Sequence, residues 1–147
     1  MSGKRYLLDT NAIVALLQGS VTLVKLLQNA DWVGISIISK IEFLAFSGLS
    51  KDDCQLFEEF LKRVEVVNLL ASNNLLIEQI IQIRLQYRIK LPDAIVASTA
   101  LQAEASLVTA DEEFTNSDKF DSCELVMTKI QQVRGQNYEN TSFECRF

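Results

Sequence analysis

Arg5-Tyr6-Leu7-Leu8-Asp9-Thr10-Asn11-Ala12 is the stretch on which the reading of this chain turns. A short apolar run ends in a carboxylate, a hydroxyl and an amide follow, and Ala12–Leu17 then reads as a helix. Asp9 therefore falls where a buried strand hands over to a helix. In an open parallel sheet that handover lies at the carboxyl edge of the strands, where α/β proteins place their ligands.

Outward from this stretch, Gly19 stops the first helix as a C′ glycine, and Val21–Asn29 predicts a second. Trp32–Ser36 reads as a strand, Ile37–Ser47 as a helix, Lys51–Lys62 as an amphipathic helix and Glu65–Leu69 as a strand. Ser72 is placed to cap a long Leu- and Ile-rich helix over Asn73–Tyr87. Pro92 opens a helix over Pro92–Glu104, Ser106–Thr109 is a strand, and Glu124–Met127 is a candidate last strand. Strands alternating with helices predict an α/β fold, a three-layer α/β/α sandwich around a mainly parallel sheet. Residues 1–130 are expected to form one domain, with a polar, weakly ordered tail over 131–147.

The 147 residues are 48% hydrophobic and 22% charged with one Pro, a globular composition. A net charge of −5 argues against gripping nucleic acid through a broad basic face. It leaves room for an acidic site that meets phosphate through metal ions. Cys54, Cys123 and Cys145 are too scattered for a zinc knuckle or a disulfide framework. A reducing, cytoplasmic setting is expected, with neither a signal peptide nor a membrane span. The chain has no histidine, so Ser-His-Asp, Cys-His and imidazole-shuttling ribonuclease chemistry are unavailable within it.

Four carboxylates stand out by position: Asp9 and Asp111 at strand ends, Asp93 in the first turn of a helix, and Glu42 inside the helix after the second strand. Each has a structural explanation. Asp9 and Asp111 suit N-caps, and Asp93, at N2 if Pro92 is N1, complements the helix dipole. Glu42 shares a helical face with Ile38 and Ala45, an inward stripe on which a carboxylate needs a partner or a metal. In a parallel sheet the four share one edge, where they repel unless a cation intervenes. Oxygen-only ligands select Mg²⁺ or Mn²⁺. An ion of that kind lowers the pKa of its water and neutralises charge on a phosphate, which suits phosphodiester hydrolysis.

The segments Leu7-Leu8-Asp9-Thr10-Asn11, the isolated Glu42 after Ile35-Ser36-Ile37-Ile38-Ser39, Leu91-Pro92-Asp93-Ala94-Ile95-Val96-Ala97, and Leu107-Val108-Thr109-Ala110-Asp111-Glu112-Glu113-Phe114 resemble the four acidic motifs of PIN-domain nucleases. The resemblance is nearest to the VapC toxins of toxin–antitoxin pairs. It runs in order from Tyr6 to about Phe114, with the family's helical insert at Lys51–Tyr87. It departs at Lys40 and Ile41, where a small or hydroxylated residue is more usual. The resemblance implies a Mg²⁺- or Mn²⁺-dependent endoribonuclease that hydrolyses RNA and leaves a 5′-phosphate. Asp9 and Asp93 would hold the principal ion, with Glu42 and Asp111 completing the site. Thr10, Asn11 and Thr109 match positions that orient ligands or water, and Glu113, with Glu112 as its alternative, matches a further acidic position. A homodimer and an antitoxin protein partner are implied as well.

Two surfaces draw separate attention. Arg84, Arg88 and Lys90 lead into Leu91-Pro92-Asp93, either as a basic rim for RNA phosphates or as a solvated helix face. Tyr87 is a candidate to stack on a base or simply to pack. The cluster Leu75, Leu76, Ile77, Ile80, Ile81, Ile83 and Leu85 is wider than one core stripe, so either part of it meets a second subunit or the helix is buried all round. The rival functions are a catalytically silent PIN-like module that binds RNA or protein, and a phosphoryl-transfer domain with an aspartyl-phosphate at Asp9. The latter wants Asp-x-Asp, and the second position here is Asn11.

Overall fold

A computed structural model of the chain describes residues 3–109. The candidate strand at Glu124–Met127, the tail and the domain boundary at residue 130 lie outside the described residues, as do Asp111, Glu112 and Glu113.

Four strands form one parallel sheet: β1 (Arg5–Leu8), β2 (Trp32–Ser36), β3 (Glu65–Val67) and β4 (Ser106–Val108), in the order β3-β2-β1-β4. Leu8 stands opposite Ile35 on one side and Val108 on the other, so β1 is internal to the sheet. Six helices connect the strands: α1 (Thr10–Leu17), α2 (Val21–Gln28), α3 (Ile37–Leu44), α4 (Lys51–Leu61), α5 (Asn74–Tyr87) and α6 (Leu91–Gln102). None is long and apolar enough to cross a membrane.

Successive strand residues point to opposite faces, and Leu7 and Leu8 divide the core accordingly. Leu8 packs with Ala12, Ile13, Leu23, Ile35, Phe57 and Phe60, the core under α1, α2 and α4. Leu7 packs with Val96, Ala100 and Leu107 beneath α6. Helices thus cover both faces, and the architecture is the expected three-layer α/β/α sandwich.

The boundaries refine the sequence reading in physically explicable places. Gly19 is the C′ residue of α1 with φ +92°, left-handed as its position requires. Helix α3 ends at Leu44 rather than Ser47, because the Phe46 N–H donates to the Phe43 carbonyl and tightens the last turn. The cap of α5 is Asn73, not Ser72: Asn73 Oδ1 accepts from the Leu76 N–H at 3.2 Å. The same Asn73 side chain donates to Gln102 at the far end of α6, a tie that Ser72 has no amide to make.

The helix that is buried all round beyond its first turn is α6, not α5. All eight residues Ala94–Leu101 are buried, most of them small, so neighbours approach from every side. Helix α5 buries Leu76, Ile80 and Ile83 against α6 and leaves Leu75, Ile81 and Leu85 exposed. Tyr87 is partly buried and packs with Ile89 on this cluster, which favours its packing role.

Candidate active site

Asp9 is positioned by two hydrogen bonds that follow from its place in the sequence. Its N–H donates to the Val108 carbonyl at 3.0 Å, the last rung of the β1–β4 ladder. Its Oδ1 accepts from the Ala12 N–H at 2.7 Å, the N-cap bond of α1. Ala12 is fully buried, so that N–H has no water to turn to. The cap is therefore Asp9 itself. Helix α1 begins at Thr10, so Thr10 and Asn11 already lie inside it and neither serves as its N-cap.

Glu42 sits one element further along the same edge. Helix α3 starts directly at the carboxyl end of β2 and buries Ser39 and Phe43, four positions apart. A helix turns about 100° per residue, so Glu42 points well away from Phe43. Its side chain is exposed, which corrects the inward stripe expected through Ile38, Glu42 and Ala45. The apolar residues of α3 serve two different cores, Phe43 joining the α1/α4 side and Ile38 the α5/α6 side. Glu42 is left at the opening between them.

Asp93 arrives on the first turn of α6. That helix starts at Leu91 with Lys90 as its N-cap, so Asp93 is at N3 rather than N2. Three residues on, Val96 faces the same way.

These elements converge on one open pocket of roughly 170 Å³, lined by Asp9, Thr10, Asn11, Glu42, Asp93, Val96 and Leu107. Three carboxylates from widely separated segments share it over an apolar floor. The consequence shows on Glu42: partial loss of water around its otherwise exposed carboxyl, then the charges of Asp93 and Asp9, raise its pKa above the ordinary carboxylate value. No three acids among the described residues stand close enough, as placed, to cage an ion between them. Of the other expected site residues, half-buried Thr109 follows β4, which ends at Val108, and does not line the pocket. Arg84, Arg88 and Lys90 are exposed and lie off it. The floor residues Val96 and Leu107 escaped the sequence reading. Val96 had a signal, its i+3 spacing from Asp93, whereas Leu107 becomes a neighbour only once β4 is known to pair with β1.

The charge on Glu42 makes a test of this geometry. Its native pKa is raised, so the folded state binds the proton more tightly than the unfolded chain. Stability is unaffected below the ordinary value and falls as pH rises through the window up to the native value. In chelator, the melting temperature of the wild type is expected to drop relative to Glu42→Gln as pH rises above the ordinary carboxylate value of 4.5. A difference that stays constant with pH would show that the three carboxylates do not interact.

A parallel sheet covered by helices, with a carboxylate-lined pocket, defines the class as an α/β domain with an acidic candidate site. The PIN domain family model matches residues 6–119, and the chain belongs to that family. Solved structures share the fold. One is a toxin–antitoxin complex from Klebsiella pneumoniae, with 24% identity and a TM-score of 0.61, covering 76% of this chain and 92% of that one. Another is VapBC2 from Rickettsia felis bound to a promoter DNA fragment, with 24% identity and a TM-score of 0.59, covering 75% and 90%. A third is PAE2754 from Pyrobaculum aerophilum, with 18% identity and a TM-score of 0.55, covering 92% and 100%. A sequence search of curated proteins returns no match.

Proposed function

We propose that this pocket is the centre of a metal-dependent endoribonuclease, and that the chain is the toxin of a toxin–antitoxin pair. The observation that carries the reading is the convergence of Asp9, Glu42 and Asp93 at one sheet edge, close enough to raise the Glu42 pKa. Membership of the PIN family supports it, and so does the likeness to structures described as toxin–antitoxin complexes.

The donor set suits Mg²⁺ or Mn²⁺. Every candidate ligand in the pocket is an oxygen, the carboxylates supply the charge, and the chain has no histidine to favour a softer ion. Bound there, such an ion supplies a nucleophilic water at neutral pH and offsets charge on the phosphate. Asp9 and Asp93 are its principal holders. Asp9 is the more rigid, since its cap bond and ladder bond fix both side chain and backbone. Glu42, which also lines the pocket, would accept a hydrogen bond from the attacking water and orient it toward the phosphorus. Thr10 and Asn11 orient water or the substrate phosphate, and Val96 and Leu107 keep bulk water from beneath. Asp111 completes the ligand set, with Thr109 and Glu113 in support. The wider reading takes in an RNA substrate, an antitoxin partner, a cytoplasmic setting and a homodimer, for which the exposed Leu75, Ile81 and Leu85 of α5 offer a face.

The ends of the RNA products test the reaction. Water attack on phosphorus leaves a 5′-phosphate and a 3′-hydroxyl, and it proceeds on a strand whose 2′-hydroxyls are methylated. A 2′,3′-cyclic phosphate, which needs the 2′-hydroxyl as nucleophile, would overturn the assignment.

A further inference from the structure

Three exposed cations fall within seven positions around the α5–α6 connection: Arg84 in the last turn of α5, Arg88 at its C-cap and Lys90 at the N-cap of α6. None is ion-paired among the described residues, where the one salt bridge joins Lys62 to Glu59. The sequence reading set Arg84 and Arg88 on one helix face. The structure does otherwise: α5 ends at Tyr87, and Arg88 is its C-cap in the left-handed conformation, φ 53° and ψ 31°. Arg84 reaches forward, its Nη1 donating to the Ile89 carbonyl at 3.4 Å. Arg84 and Arg88 therefore do not share a helical face, and the Arg84 side chain is tied to the connection that carries Arg88 and Lys90. Lys90 then caps α6 without a side-chain bond of its own. Asp93 follows three residues later, roughly 4.5 Å along the helix axis, and lines the pocket.

The left-handed position after a helix is where glycine is ordinarily favoured, because a side chain there costs conformational energy. Arginine occupies it here. A charged residue in this conformation, five positions before the pocket-lining Asp93, is a reason to look for function. The pocket needs such help. It is lined by three carboxylates in a chain of net charge −5, and a polyanion approaching it is repelled.

We propose that Arg84, Arg88 and Lys90 form a phosphate clamp that holds the RNA strand a nucleotide or two from the phosphate in the pocket. This inference rests on the reading of RNA as substrate and adds where the strand lies. The clamp contacts backbone phosphates, so it adds affinity without choosing the bases.

Binding without cleavage tests it, with short single-stranded RNA followed by anisotropy across a salt series in chelator. Arg88→Gly suits the left-handed backbone and is expected to melt no lower than the wild type. It should nevertheless bind RNA about 3- to 10-fold more weakly, with a slope of log affinity on log salt shallower by about 0.7. Arg88→Lys should restore the slope, and removing all three cations should flatten it by about 2. Arg63→Ala, which removes a charge just before β3 at the opposite edge of the sheet, should change nothing. An unchanged slope in Arg88→Gly, or no salt-dependent binding by the wild type, overturns the proposal. If the same variants instead lose binding to an oligoglutamate peptide, the turn belongs to an acidic protein partner and the RNA clamp is wrong. Asp93→Asn keeps this RNA binding while losing cleavage, so failure of the clamp and failure of the catalytic reading are distinguishable.

Discussion

Asp93→Asn is expected to reduce RNA cleavage by about 10³-fold, because a principal metal holder supplies several kcal/mol of transition-state stabilisation. The loss should appear under single-turnover conditions with Mn²⁺ present. The fold should survive it. Asp93 is exposed at N3 of α6, and the substitution removes only a helix-dipole interaction worth about 0.3–1 kcal/mol. Some of that is returned by relief of the repulsion on Glu42, to whose raised pKa Asp93 contributes more than Asp9 does. Equal cleavage by wild type and variant, with both folded by circular dichroism, would remove Asp93 from the catalytic centre.

The second large effect concerns Asp9, where two roles share one carboxylate. Asparagine is as good an N-cap as aspartate, so Asp9→Asn keeps the bond from Ala12 N–H and lacks only the negative charge. Its stability should lie within a few tenths of a kcal/mol of the wild type, while cleavage falls by about 10³-fold. Asp9→Ala loses the cap as well and strands the N–H of a fully buried residue. It should be destabilised by about 1–2 kcal/mol, a fall of several degrees in melting temperature for a domain of this size. The two variants should be equally inactive and unequally stable. An active Asp9→Asn would mean that the residue serves the helix alone.

What could be read from the residues, and what could not, divides along physical lines. The strand–carboxylate–helix handover at Asp9 is a local signal, because an apolar run, a capping acid and a helical periodicity are all short-range properties. The Leu91-Pro92-Asp93 helix start is local in the same way. Glu42 does line the pocket with Asp9 and Asp93, but the residues gave it the wrong direction. An eight-residue helix starting at the carboxyl end of β2 touches two cores, so Ile38 and Phe43 mark different buried sides and no single stripe exists. The choice between Ser72 and Asn73 was open locally, since both cap helices well, and the amide contact to Gln102 separates them. The burial of α6 was hidden because Ala, Ser and Thr carry little hydrophobic signal. Its full enclosure comes from how closely small side chains let other elements approach. The Leu- and Ile-rich α5 looked more central than it is. Leu107 could not be placed in the pocket without the strand order, which is a long-range property of the sheet.

The silent-module alternative is weakened by the presence of three acids in one pocket, yet only turnover decides between the two. The most direct measurement is cleavage of RNA by the purified wild-type protein, with Mn²⁺ and with excess chelator in parallel. Cleavage that requires the ion and returns when it is restored is the predicted result. Cleavage that persists in chelator would contradict a carboxylate-held metal centre at Asp9, Glu42 and Asp93.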